Sequence, residues 1–237
     1  MKNISCKACS NIHCFIKQYC SADWIQNMDK KKFQTLYKQG QNIIHEGSPV
    51  LGIFFIQNGK VKVFSSGLNG RKQIVRFAKD GHILGHRGFA TNDVYPISAT
   101  AMEDSVACFI ENDTLYKMFM DNPKFVIGLM EFYSRELRKI ENRMKSIAQM
   151  NTREKITEAL LLLMENFGLN KQKELNVPIT REEIACIAGT TAEQVVRQLS
   201  EFEKEKLISK RGRKIMILNI GALKKINSEF NPITITQ

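Results

Sequence analysis

The stretch "ITREEIACIAGTTAEQVVRQLSEFEKEKLISKRGRKIMIL", Ile179 to Leu218, is the most specific signal in this 237-residue chain. Thr180 followed three residues later by Glu183 is a capping box, in which side chain and backbone satisfy each other at the start of a helix. Ile184, Ile187 and Ala188 give that helix one apolar face. Gly189 then breaks it, as the turn of a helix-turn-helix requires. A second helix begins near Thr191, with Val195, Leu199 and Phe202 at i, i+4 and i+7 on its buried side. Glu193, Val196, Arg197 and Ser200 occupy the opposite side. After Leu207 and Ile208, "SKRGRKIMIL" reads as a short hairpin carrying Lys210, Arg211, Arg213 and Lys214 at its tip, a wing suited to phosphate.

This pattern points to double-stranded DNA as the partner. Exposed residues early in a recognition helix reach base edges in the major groove. Arg197 can donate two hydrogen bonds to guanine O6 and N7, and Glu193 can accept from cytosine N4. Val196 and Ser200 share that face, while Thr180, Arg181, Thr191 and the four wing residues are the phosphate candidates. Glu193 has a second reading: with Thr190 as N-cap, it is the return half of another capping box. The formal net charge of +11 favours anionic partners and agrees with DNA.

The remaining composition narrows the class. With 43% apolar and 25% charged residues, the chain reads as an ordinary globular protein long enough for a genuine core. No run approaches the ~20 apolar residues that span a bilayer. Lys2, Asn3, Ser5 and Lys7 interrupt any signal-peptide core, so the expected compartment is the cytoplasm, with no membrane partner. Thiols stay reduced there, and six cysteines then serve as metal ligands, redox sensors or core filler. No nucleophile–base constellation or phosphate-cradling glycine loop argues for an enzyme. The basic cluster at Lys30 to Lys32 adds to the positive balance.

Residues from about Asn42 to Glu111 read as β. Asn58-Gly59 splits "GIFFIQNGKVKVF" as a hairpin signal, and further turns follow at Gly67 to Gly70, Lys79 to Gly81 and Gly85. Short strands at such spacing suggest a β-roll or barrel. In "SVACFI", alternation puts Val106, Cys108 and Ile110 on one face. The period then changes. Asn122 is expected to cap a helix whose first residue is Pro123. Met130, Tyr133, Leu137, Ile140, Met144 and Ile147 follow at spacings of 3 and 4, a coiled-coil seam for a homodimer or a helix packed on its own domain. With Met130 at an a position, Glu136 is a g residue facing Glu141 of the partner chain, which would oppose pairing.

A β-roll, a long helix and a winged helix-turn-helix together resemble the Crp/Fnr family of bacterial transcription regulators over nearly the whole chain. The resemblance implies an α+β chain: a cyclic-nucleotide-binding-like β-roll in residues 1–121, a dimerisation helix in 122–150 and a winged helix-turn-helix in 151–237. "GTTAEQVVRQL" is similar to the family's recognition helix, in which a Glu and an Arg four residues apart read a TGA-containing half-site; here they are Glu193 and Arg197. Val196 stands where oxygen-sensing Fnr members have Ser, so only the Glu–Arg part carries over. Family members that bind cyclic AMP carry Gly-Glu and Arg-Ser pairs in the roll. Here His86 replaces the glutamate and Pro96 or Ile97 falls where arginine belongs, so cyclic AMP is not expected.

"YPISATAMEDSVACFI" resembles the Fnr version instead. Fnr-type oxygen sensors hold a [4Fe–4S] cluster on three N-terminal cysteines and one from the roll, and four thiolates are what such a cluster takes. By resemblance the ligands are Cys6, Cys9, Cys14 and Cys108, with Cys20 able to replace Cys14; the gap from Cys9 to Cys14 is four residues where the family has five. The residues alone leave other readings open: zinc on the N-terminal thiols with His13 or Cys20, a thiol switch, Cys108 as plain core, or an unidentified ligand in the roll. Cys186 reads as core of the DNA-binding part, and His45, His82 and His86 show no ligand spacing. The family also implies RNA polymerase as a partner. A short helix at Ala222 to Ile226 carries no functional reading.

Overall fold

The computed structural model describes residues 4–67, 70–89 and 94–227, except for the side chains of residues 145–147. The chain forms two compact units, Met1–Glu136 and Leu137–Gln237.

In the first unit, two short helices, α1 (Phe15–Tyr19) and α2 (Ala22–Asn27), precede the strands. The strands are β1 (Lys32–Tyr37), β2 (Asn42–Ile44), β3 (Gly52–Asn58), β4 (Val61–Ser66), β5 (Lys72–Ala78), β6 (Ile83–Leu84), β7 (Ser98–Ala101) and β8 (Ser105–Glu111). They build two antiparallel four-stranded sheets, ordered β1-β8-β3-β6 and β2-β7-β4-β5. The expected turn at Asn58-Gly59 exists, but β3 and β4 do not pair. Gly59 has φ +121°, and a Cβ there would fall 2.1 Å from Ser105 Oγ, so this turn carries the chain from one sheet to the other. The paired hairpin is β4–β5, closed by the Gly67 N–H donating to the Arg71 carbonyl at 2.7 Å.

Alternation along β8 sets two cores. Ala107 packs with Ile44, Ile56, Val61, Val63 and Ala99 between the sheets. Ile110, with Cys108 beside it, packs instead with Phe15, Ile16, Met28, Ile53 and Phe55 beneath the N-terminal segment. Each of the Val, Ile, Phe and Met side chains among them contributes roughly 1.5–3 kcal/mol by leaving water.

Two helices follow, α3 (Asn112–Asp121) and α4 (Pro123–Gln149). Proline does open α4, but the side chain of Asn122 does not cap it. Buried at 4% exposure, Asn122 accepts from the Ser21 N–H at 2.9 Å and donates to the Met118 carbonyl at 2.9 Å. One side of α4 carries Phe125, Gly128, Phe132 and Glu136, all buried or half-buried. The other carries the seam residues Met130, Tyr133, Leu137, Ile140 and Met144, all exposed. The Ile147 side chain lies outside the described residues.

The second unit contains α5 (Thr152–Phe167), α6 (Arg181–Ala188), α7 (Ala192–Lys204), the hairpin β9 (Ile208–Arg211) and β10 (Lys214–Ile217), and α8 (Ile220–Ile226). An Asn151–Glu154 capping box starts α5 and a Thr180–Glu183 capping box starts α6. Gly189 ends α6 at φ +65°, the left-handed conformation that glycine adopts without a Cβ penalty. Among the described residues no helix is long and apolar enough to cross a membrane.

Candidate functional site

Two constellations stand out, one in each unit. All six cysteines are free thiols, and five of them, Cys6, Cys9, Cys14, Cys20 and Cys108, belong to the first unit. The chain before α1 runs back over β1 and β8. Cys6 is buried at 7% exposure, and its N–H donates to Asp29 Oδ1 at 2.6 Å. Asn11 donates to the carbonyls of Ile56 and Gln57 at 3.1 and 2.9 Å, and Lys17 donates to the Cys9 carbonyl at 2.9 Å. These bonds hold the cysteine segment over the face of β8 that bears Cys108. In register, Cys108 lies opposite Gln34 of β1 and Phe55 of β3.

Burial pushes the Cys108 thiol up to about 11; Lys32 opposes that rise, while Cys14, Cys6 and Cys9 add to it. The Cys108 thiol therefore feels all three N-terminal cysteines of the expected quartet. Cys20 is pushed up to about 12 by burial, with Cys14 and Cys6 adding to it, and its sulfur points to Met118 Sδ at 3.5 Å. Burial also raises Cys6, against the pull of Lys32. Thiols held this high keep their protons at neutral pH, so ligating a metal must release them. His13 is exposed. Among the described residues no three His, Cys, Asp or Glu side chains converge to hold a single metal ion. Cysteine thiols, once deprotonated, are the ligands that zinc and iron–sulfur centres take.

One residue of this site was not foreseen. Lys32 lies in the basic cluster Lys30 to Lys32, yet its side chain is 3% exposed. Its Nζ donates to the Ile4 carbonyl at 2.6 Å and to Cys6 Sγ at 3.3 Å, with Asp29 Oδ1 at 3.5 Å. The available signal was period two: Lys32, Gln34 and Leu36 share a strand face, and Gln34 pairs with Cys108.

The second constellation is the reader. Thr191 is the N-cap of α7 and accepts from the Gln194 N–H at 3.4 Å. Thr190 is therefore not the cap, and Glu193 is not the return half of a capping box. Its carboxylate is held below its ordinary range by its own backbone N–H and the Thr191 hydroxyl. Glu193, Val196 and Arg197 are exposed together. Ser200 is half-buried, accepting from Lys210 Nζ at 3.0 Å and donating to the Val196 carbonyl at 2.9 Å.

The phosphate candidates divide. Arg211 and Arg213 are exposed at the wing tip, where Gly212 turns with φ +58°. Lys210 is paired with Glu203 at 3.2 Å and Lys214 with Glu174 at 3.1 Å. Arg181 donates to the Gly212 carbonyl at 3.0 Å, fixing the wing, and Thr180 is occupied as the cap of α6. Cys186 is half-buried on α6.

Comparison with known proteins matches this architecture part by part. Residues 34–122 match the model of the cyclic nucleotide-binding domain, and residues 154–226 match that of the Crp-like helix-turn-helix domain. The transcriptional activator protein anr of Pseudomonas aeruginosa is 28% identical over 219 residues, covering 90% of this chain and 88% of that protein. The chain belongs to the Crp/Fnr family of transcription regulators. The fumarate and nitrate reduction regulatory protein of Vibrio cholerae is 26% identical, covering 80% of this chain and 76% of that one. Among solved structures, FixK2 from Bradyrhizobium japonicum shares the fold at a TM-score of 0.71 and 22% identity, covering 82% of this chain and 96% of FixK2. The regulator CLP of Xanthomonas campestris does so at 0.75 and 16%, covering 84% of this chain and 100% of CLP.

Like other Crp/Fnr regulators, the protein is a DNA-binding regulator and not an enzyme. In its roll, His86 is buried at 3% exposure, and burial, then Arg76 and Arg87, hold its imidazole well below the ordinary range and neutral. Ile97 is part of the core between the sheets. The nearby guanidinium of Arg76 is spent on Glu136 at 3.1 Å and on the Ile83 carbonyl. That pairing also corrects the seam. Glu136 faces the roll, with Arg87 at 3.9 Å as well, so it is not placed to repel Glu141 across a dimer.

Proposed function

We propose that this Crp/Fnr regulator acts as a cytoplasmic homodimer whose N-terminal unit carries a [4Fe–4S] cluster on Cys6, Cys9, Cys14 and Cys108, and that oxygen or nitric oxide controls its DNA binding through that cluster. The observation that carries this reading is the N-terminal segment tied down beside Cys108: Gln34 accepts from the Ile4 N–H and donates to Cys108 Sγ, Lys32 donates to Cys6 Sγ, and Asn11 donates to the Ile56 and Gln57 carbonyls. Cys20, facing Met118, is the weaker candidate. A cluster bound there supplies a centre that oxygen and nitric oxide degrade. Cyclic AMP has no place in this reading, because Arg76 is committed to Glu136 and Ile97 to the core.

The chain's own residues connect that site to α4. Cys14 is followed at once by α1, whose Phe15 packs edge-on against Phe125 at 5.1 Å and Phe132 at 6.3 Å. Directly after Cys20, the Ser21 N–H donates to Asn122 at the start of α4. Displacing Cys14 displaces α1, and α1 bears on the inner side of α4. The outer side of α4 carries Met130, Tyr133, Leu137, Ile140 and Met144, the residues assigned to the seam with a second copy. Two subunits then present Glu193 and Arg197 to inverted half-sites about 34 Å apart, and contact RNA polymerase from the bound dimer. Moving such an equilibrium from 1:99 to 99:1 takes about 5.5 kcal/mol.

The test is an absorption spectrum with iron and sulfide analysis, on protein purified without oxygen and then exposed to air. About four irons per chain, in a brown chromophore that air bleaches, is the expected result. Colourless, iron-free protein would overturn the cluster and leave a Crp/Fnr regulator that is constitutive or governed by thiol oxidation, zinc or a small ligand in the roll.

A further inference from the structure

A lysine in a run of three basic residues belongs in water, yet the side chain of Lys32 is 3% exposed. A buried ammonium is costly unless paired and hydrogen-bonded. Its partners here are the Ile4 carbonyl at 2.6 Å, Cys6 Sγ at 3.3 Å and Asp29 Oδ1 at 3.5 Å. Asp29 is only partly committed to it, because the same oxygen accepts the Cys6 N–H at 2.6 Å. Cys108 is a further neighbour on which Lys32 acts. One cation therefore bonds a thiol of the site directly, with a single carboxylate beside it, on the strand next to the one that bears Cys108. Four neutral thiols need no such cation; thiolates gathered around a negatively charged centre do.

The geometry points to Lys32 as the charge-compensating residue of the metal centre: it donates to the Cys6 ligand and offsets the negative charge that four thiolates bring into the site. This rests on the cluster reading above. Net charge, hydrogen bonds to the sulfurs and solvent exposure set the potential of an iron–sulfur centre. An added electron makes the centre more negative, so a nearby cation favours the reduced form and raises the midpoint potential. Outer-shell partners of this kind also hold the metal itself, and losing one costs about 10–100-fold in metal affinity. Asp29 acts in the opposite direction, as a negative charge beside the same ligand, while its oxygen fixes the Cys6 backbone.

Three proteins test this, each purified and loaded without oxygen: wild type, Lys32→Met and Asp29→Asn. The readouts are iron per chain, midpoint potential by equilibrium titration, and resistance to a competing chelator. Lys32→Met is expected to lower the midpoint potential and to weaken iron retention about 10–100-fold. Asp29→Asn keeps the accepting oxygen and removes the charge, so it should raise the potential. Lys32→Arg, which preserves the charge, should stay close to wild type and guards against a variant that merely misfolds. Loaded wild type with potentials unchanged in both Lys32→Met and Asp29→Asn would overturn the role of Lys32 alone. Wild type that takes up no iron would overturn the cluster reading and this inference together.

Discussion

The ring of Tyr19 closes on Gly128 so tightly that a Cβ there would fall 2.5 Å from the ring. Helix α1 can sit against α4 only because position 128 lacks a side chain. Gly128→Ala is therefore expected to destabilise the N-terminal unit by about 1–3 kcal/mol, the usual range for overpacking. Tyr19→Ala opens the space, so the double variant should cost less than the sum of the singles. Trp24, the only tryptophan and a residue of α2, makes the transition visible by fluorescence during chemical denaturation. Strict additivity would show that the two residues do not press on each other.

Arg197→Ala should lose about 1–3 kcal/mol of DNA affinity and relax specificity at one guanine. Glu193 is exposed and outside any capping box, but its carboxylate bonds its own N–H and the Thr191 hydroxyl in the first turn of α7, so Glu193→Ala should lower melting slightly while weakening discrimination at the base it reads. Binding to specific and scrambled duplexes, measured beside a thermal melt, separates these effects. A large fall in melting temperature for Glu193→Ala would return that residue to a structural role.

On the wing, Arg211→Ala or Arg213→Ala should weaken binding to all sequences alike and reduce the salt slope by about 1. Lys210→Ala should do this and also lower stability, because it abandons Glu203 and Ser200. Titrations across a range of salt concentrations, with melts alongside, distinguish the tip arginines from the braced lysine.

Leu137→Glu, in the middle of the exposed stripe on α4, should give monomers by sedimentation, whereas Glu141→Lys should leave the dimer unchanged. Glu136→Gln should act on folding instead. It keeps an accepting oxygen but removes the negative charge that compensates the buried Arg76 guanidinium, and breaking such a buried ion pair costs about 3 kcal/mol or more.

The carboxylates of Glu203 and Glu205 sit below their ordinary range, Glu203 through the Lys210 backbone N–H and ammonium, Glu205 through hydrogen bonds from Arg153. A depressed folded-state pKa stabilises the fold above the unfolded value of about 4.3, and that stabilisation is lost as pH falls through the folded value. Melting of the DNA-binding unit should therefore be flat near neutrality and fall below about pH 4.5. The Glu203→Gln, Glu205→Gln double variant should show a shallower acid limb.

What could be read from the residues follows from how local each signal is. The helix-turn-helix was legible because Thr180, Glu183 and Gly189 act within one turn of chain, and hydrophobic spacing does the rest. The Asn151–Glu154 capping box of α5 is a signal of the same kind that went unread. Helices α1 and α3 have no such marks, and α1, with five residues, owes its existence to packing on Phe125 and Phe132. Asn122 and Glu136 were legible as a helix cap and a seam flank. Partners far away in sequence, Ser21 and Arg76, took them for other work. Lys32 was illegible for the same reason: its burial depends on Ile4 and Cys6 folding back over β1.

The short span from Cys14 to Ser21 has a consequence for how such a sensor can change. On the cluster reading proposed above, its thiols decide what is detected, whereas Phe15, Tyr19 and the bare position at Gly128 decide how much of that event reaches α4. Selectivity and gain are thus written in neighbouring but separate residues, so a lineage can raise or mute the response while leaving the detecting sulfurs untouched.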